Sequence, residues 1–353
     1  MTEKDRTLVI SPNWIGDAVM AQPLLRLLKQ AHPERAIDVL APPQVVPVWR
    51  RIQEADDILV TPFRHRALQL GERWRYARIL KERGYSDAYV LPNTLKYALI
   101  PWLARIPRRV GYKGEMRYGM VNVMHHDDKP RRSMVPFYAA LAREPEVPLP
   151  GKLVRPYLVV GGEETEQVGK RFGVDLSRPL VAFAPGAEFG IAKRWPPAYY
   201  GALAAKVVDA VPGVQVVLLG SPNDRETCDQ VLRHVAGAAG AAVRNLAGQT
   251  SLDDAIALLA RASAVVSNDS GLLHIASALN RPVVALYGST DPDYAPPLSE
   301  VARTVSLRLA CSPCRKRECP LGHHDCMNKM SAERVWSELV PILVPVKGSA
   351  ARA

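Results

Sequence analysis

The sequence predicts an α/β protein made of two doubly wound, parallel-sheet domains, and three observations predict it. Short Val- and Ile-rich runs alternate with helical patterns along the chain, as βαβ units require. The length, 353 residues, suits two domains at roughly 100 to 200 residues each. A proline-dense stretch, Glu144-Pro-Glu-Val-Pro-Leu-Pro-Gly151, interrupts the alternation near the middle, where neither a helix nor an interior strand continues easily.

Taken in order, the first half holds expected strands at 7–10, 37–40, 58–60, 88–91 and 109–111, a sheet of about five strands, with helices over 17–30 and 73–83. The second half holds expected strands at 180–184, 215–219, 264–267 and 283–287, with helices over 197–208, 224–235, 252–261 and 271–279. Ser251 and Asp254 form a capping-box pattern at one of these helices and read as structural. A final helix opens near Ser331 and could pack back on the first domain. The domains are placed at 1–160 and 175–353.

Apolar residues make up 48% and charged residues 23%, ordinary globular usage that excludes a disordered chain or a membrane bundle. Thr2-Glu3-Lys4-Asp5-Arg6 leads straight into Leu8-Val9-Ile10 without a long apolar region or cleavage site. The expectation is therefore a cytoplasmic protein whose membrane contact is at most peripheral. The net charge of +11 points to an anionic partner. Most of it lies in residues 1–150, with 24 basic against 16 acidic side chains.

Four segments could carry chemistry. Leu8-Val-Ile-Ser-Pro-Asn-Trp-Ile-Gly16-Asp17 is a strand, a loop and a helix start, with Asp17 expected at a cleft mouth as a base or as a simple cap. Its single glycine disfavours a dinucleotide site, which needs G-x-G-x-x-G there. Pro185-Gly186-Ala-Glu-Phe-Gly190-Ile-Ala-Lys193-Arg194-Trp195-Pro196 suits a phosphate through Gly186 and Lys193, though it is not a Walker A loop. Asn268-Asp269-Ser270-Gly271-Leu-Leu-His274 leads a strand into a helix whose positive end suits an anion, with an ordinary cap cluster and a core histidine as the plainer reading. Glu226 stands where ribose contacts often fall, and Asp224 competes with it.

The run holding Cys311, Cys314, Cys319 and Cys326 reads as a reduced structural loop or as a zinc or iron–sulfur site, although the spacings are not those of a zinc ribbon. Among the basic residues of the first half, Arg64, Lys96, Lys113 and Arg117 follow expected strand ends and could meet an acidic acceptor. Aromatics there are too few and irregular to argue for nucleic-acid stacking.

Together these motifs, with Val90-Leu-Pro-Asn-Thr-Leu-Lys96, Gly114-Glu-Met-Arg-Tyr-Gly119 and Ala285-Leu-Tyr-Gly288, resemble the lipopolysaccharide heptosyltransferases of glycosyltransferase family 9. The resemblance implies two Rossmann-like domains facing a central cleft, the GT-B arrangement, with acceptor on the first and ADP-heptose on the second. It implies transfer of L-glycero-D-manno-heptose with inversion onto heptosyl-Kdo2-lipid A at the cytoplasmic face of the inner membrane. Kdo2-lipid A, the acceptor of the first heptose, is the alternative. Asp17 matches the general base and Lys193 the residue meeting the donor diphosphate. Ser270 and Gly271 match the helix-end phosphate site and Glu226 the ribose contact; Gly186, Asp269 and His274 are placed with them at the donor site, with Asp269 expected to cap the helix or orient its neighbours, since a carboxylate would repel the diphosphate. No cofactor is required, with magnesium at most stimulatory, and no metal role is carried over to the cysteines.

Overall fold

The structure is a computed structural model that describes residues 6–63, 67–127 and 133–343. It divides into two compact units, Met1–Val159 and Val160–Ala353. In the first, β1 (Arg6–Ile10), β2 (Ala36–Ala41), β3 (Asp57–Val60), β4 (Tyr85–Val90), β5 (Arg108–Tyr112) and β6 (Val123–His125) form one sheet in the order β3-β2-β1-β4-β5-β6. Every pairing in it is parallel. Helices α1 (Ile15–Met20), α2 (Gln22–Ala31), α3 (Val46–Trp49), α4 (Leu70–Glu82), α5 (Leu95–Leu103) and α6 (Met134–Ala139) complete the unit.

The central strands are apolar because helices cover both faces of a parallel sheet; Leu8, Val9, Ile10, Val39, Leu40, Ala88 and Val90 are fully buried. The helix expected over 17–30 is two helices, because Pro23 in the first turn of α2 cannot donate the hydrogen bond that would continue α1. The sheet has six described strands rather than about five. The extra one, β6, is three residues long, too short to show a period.

The second unit repeats the plan. After α7 (Gly162–Phe172), strands β7 (Leu180–Ala184), β8 (Gln215–Leu218), β9 (Val243–Asn245), β10 (Ala264–Asn268), β11 (Val283–Tyr287) and β12 (Ala302–Ser306) form a parallel sheet ordered β12-β11-β10-β7-β8-β9. Between them run α8 (Pro197–Ala210), α9 (Arg225–Arg233), α10 (Leu252–Arg261) and α11 (Gly271–Ala278), followed by α12 (Asp325–Asn328) and α13 (Ala332–Leu343). The expected capping box is present: Ser251 Oγ accepts from the Asp254 amide at 3.1 Å, and the Ser251 amide donates to Asp254 Oδ2 at 3.0 Å.

The final helix places Val335 and Leu339 in the second unit's core with Val284 and Leu286. The reason is its amphipathic pattern, whose apolar stripe meets α8 and the strands β10 to β12.

Candidate active site

The two sheets share one topology, and it decides where each site lies. In each, the first strand lies between the second and the fourth, so the chain leaves the two central strands toward opposite sides and opens a crevice at their carboxyl ends. In the first unit that point lies between β1 and β4; in the second, between β7 and β10.

Asp17 stands just past the end of β1, in α1, and is half-buried. The Tyr138 hydroxyl from α6 donates to its Oδ1 at 3.1 Å. The loop leading to it is anchored from two sides: Trp49 Nε1 donates to Ser11 Oγ at 2.7 Å, and the Tyr97 hydroxyl donates to Asn13 Oδ1 at 2.6 Å. Such anchoring fixes the carboxylate's position on the rigid sheet. Asp17 is not the N-cap of α1, which is Trp14; it lies in the first turn of that helix.

The expected acceptor cations divide. Lys96 is half-buried with its ammonium 5.4 Å from the Tyr97 ring centre, and Lys113 is exposed. Arg117 corrects the sequence reading: it is buried, and it donates to the carbonyls of Tyr112 and Pro92 and to Asn93 Oδ1. It joins the loop after β4 to the end of β5, and burial lowers its pKa to about 10. A guanidinium whose donors are spent on the backbone is not offered to a ligand. Arg64 lies outside the described residues.

In the second unit, Asn268 at the end of β10 ties the two loops of the crevice together. Its Nδ2 donates to the Pro185 carbonyl at 2.6 Å, and its Oδ1 accepts from the Trp195 amide at 3.2 Å and the Tyr200 hydroxyl at 3.1 Å. Trp195 is fully buried and its Nε1 donates to the Met330 carbonyl at 2.7 Å. These anchors bring Lys193 to Asp269: Nζ lies 2.6 Å from Oδ2, while His274 Nε2 lies 3.5 Å from Oδ1. Burial works against the Asp269 charge, but the His274 hydrogen bond and the Lys193 charge outweigh it and hold the carboxyl well below its usual range. Phe189 lies 5.0 Å below the Lys193 ammonium.

Ser270 is the N-cap of α11, with its hydroxyl 3.1 Å from Ser267 Oγ, and Gly271 opens the helix. Lys193, Asp269, Ser270, Gly271 and His274 are thus brought together at one end of the sheet, with a cation and a helix dipole of the same sign. Gly186 adjoins this cluster for a steric reason: a Cβ there would meet Asp224 Cγ at 2.2 Å. Of the two acidic candidates after β8, Asp224 is buried and its Oδ2 is held by Ser221, whereas Glu226 is exposed on α9 and paired with Arg233 at 2.8 Å. Glu226 is the exposed one of the two, with its Oε1 accepting from Arg233 and Gln230.

The cysteines form no disulfide, and among the described residues no group of three or more His, Cys, Asp or Glu could hold a metal ion. The run packs beside the lysine loop: the Ala192 amide donates to the Arg317 carbonyl at 3.0 Å. Tyr138 escaped sequence reasoning because it lies 121 residues from Asp17, with no local pattern linking them.

Two parallel α/β units with crevices at equivalent strand ends, one offering a carboxylate and the other a cation beside a helix start, define a GT-B-like glycosyltransferase. The model of glycosyltransferase family 9 (heptosyltransferase) matches residues 73–324. The chain belongs to that family. It is 42% identical over 345 residues to lipopolysaccharide heptosyltransferase 2 of Escherichia coli (strain K12), covering 96% of this chain and 99% of the relative. It is 25% identical to lipopolysaccharide heptosyltransferase 1 of Pseudomonas aeruginosa, covering 96% and 98%. The solved structure of E. coli ADP-heptose lps heptosyltransferase II superposes with a TM-score of 0.87 at 40% identity, over 96% of this chain and 98% of that one.

Proposed function

We propose that the protein transfers L-glycero-D-manno-heptose from ADP-heptose to heptosyl-Kdo2-lipid A in the building of the lipopolysaccharide inner core. The observation that carries the reading is the Lys193, Asp269 and His274 cluster at the switch point of the second sheet, in a chain 42% identical to a heptosyltransferase 2. The second unit would hold the donor and the first the acceptor.

In this reading Asp17 removes the proton from the attacking acceptor hydroxyl. The hydroxyl oxygen bonds the anomeric carbon from the face opposite ADP, so configuration inverts. The bond from that carbon to the diphosphate oxygen breaks, and its electron pair leaves with ADP. Lys193 and the amides at the start of α11 meet the charge that develops there. ADP is a good leaving group, so no protonating acid is needed, unlike the two-carboxylate glycosidase arrangement. These side chains would carry the reaction without an obligatory metal. Glu226, exposed at the start of α9, is the ribose contact, while Lys96 and Lys113 are offered to the acceptor.

No described helix is long and apolar enough to cross a membrane; the protein would meet its lipid acceptor at the cytoplasmic membrane face. Incubation with ADP-heptose and heptosyl-Kdo2-lipid A should give a product heavier by one heptose. Transfer only to Kdo2-lipid A would make this the enzyme adding the first heptose, and no transfer to either would overturn the reading.

A further inference from the structure

Trp14 stands at a position that neither its helix nor the core requires it to fill. It is the N-cap of α1, where Ser, Thr, Asp or Asn is usual because the side chain accepts from a first-turn amide, yet Trp14 makes no such bond. Ser11 and Pro12 before it are buried, whereas Trp14 is 49% exposed. The fully buried tryptophans, Trp49 and Trp195, spend their indole N–H groups on Ser11 Oγ and the Met330 carbonyl. The other half-exposed tryptophans lie in helices, Trp74 within α4 and Trp102 near the end of α5. Trp14 alone of the three follows a strand end, three residues before Asp17.

The loop that presents it is held still. Trp49 fixes Ser11 and Tyr97 fixes Asn13, while the Ala18 amide donates to the Trp14 carbonyl at 2.9 Å. An exposed indole on a fixed backbone offers a large amphipathic surface whose ordering is already complete, which favours binding. The groups tied to the same loop are polar. Asn13 uses its Oδ1 for Tyr97, and among the described residues nothing accepts from its Nδ2. The Lys96 ammonium lies 5.4 Å from the Tyr97 ring centre. A single aromatic face among hydrogen-bonding groups matches a sugar ring, which has an apolar C–H face and a rim of hydroxyls; the positive C–H edges meet the negative face of the ring system. An acyl chain would leave the polar groups without partners.

We propose that Trp14 is the platform for the terminal heptose of the acceptor. The C–H face of the pyranose stacks on the indole, the Asn13 amide meets a rim hydroxyl, and the attacking hydroxyl is thereby turned toward Asp17. Trp14 touches substrate but moves no proton; it decides which sugar lies beside the base. The inference rests on the reading that heptosyl-Kdo2-lipid A is the acceptor.

The test is calorimetric titration, in the presence of ADP, with deacylated heptosyl-Kdo2-lipid A and with deacylated Kdo2-lipid A. The wild type, Trp14→Leu and Trp14→Phe are compared, beside their affinities for ADP and their acceptor KM. Leucine keeps an apolar side chain without a flat face, and phenylalanine keeps the face. Trp14→Leu should bind the heptosylated oligosaccharide roughly tenfold more weakly and raise acceptor KM to match. Its affinity for ADP and for the oligosaccharide without heptose should not change, and Trp14→Phe should stay close to the wild type. Four results would overturn the platform: no wild-type binding of the heptosylated oligosaccharide, undiminished binding by Trp14→Leu, equal losses in the two variants, or a loss in Trp14→Leu that extends to ADP or to the oligosaccharide without heptose. Wild-type binding of the heptosylated oligosaccharide without transfer would overturn the proposed reaction and leave the platform standing.

Discussion

The Lys193 ammonium lies 2.6 Å from Asp269 Oδ2 with both side chains largely buried. The pair joins the loop after β7 to the loop after β10 and thereby sets the cation in place. Lys193→Ala should weaken ADP-heptose binding by roughly tenfold or more, the scale of a lost charge-assisted contact. It should also lower stability by roughly 1.5–3 kcal/mol, because the buried Asp269 carboxylate loses one of its two partners and keeps only His274. Calorimetric titration and thermal melts would read the two effects separately. Because the Asp269 carboxyl is held below its usual range, its contribution to stability is present above that range and is lost only as pH falls through the depressed folded value. Unchanged donor affinity in the variant would remove Lys193 from the diphosphate site.

Gly186 owes its identity to crowding. With Asp224 Cγ only 2.2 Å from where a Cβ would stand, Gly186→Ala should cost roughly 1–3 kcal/mol. Chemical denaturation measures that directly, and a variant as stable as the wild type would contradict the packing.

Tyr138 is assigned to position Asp17 through the 3.1 Å hydrogen bond. Tyr138→Phe keeps the ring in the core and removes only the hydroxyl. Turnover should fall by roughly fivefold, the worth of about 1 kcal/mol of hydrogen bonding, while both KM values stay near the wild type. A change confined to KM would point to a substrate contact.

Much of this was legible in the sequence for a physical reason. Runs such as Val283–Tyr287 are apolar because both sheet faces are covered, and chemistry in such folds gathers where strands end. Lys193 and Asp269 were therefore visible singly, as a cation and an anion on two strand-end loops. Their pairing was not, because it depends on the strand order that sets β7 beside β10. Arg117 misled because a basic residue after a strand usually faces solvent, whereas here backbone carbonyls consume its donors.

The five cysteines should react unequally. Burial, with the nearby charges of Asp224 and Asp229, pushes the Cys228 thiol up to about 12, while Cys311 is exposed. Alkylation at mildly alkaline pH, read by peptide mass, should label Cys311 early and Cys228 only after unfolding. Early labelling of Cys228 would contradict the packing of α9 on the second sheet.

The most direct test of the account is the turnover of Asp17→Asn with ADP-heptose and heptosyl-Kdo2-lipid A, measured beside its affinity for ADP. The amide is nearly isosteric but cannot take up the hydroxyl proton, so turnover should fall by roughly a hundredfold or more with ADP affinity unchanged. Turnover equal to the wild type would contradict the assignment of Asp17 as the base that starts the transfer.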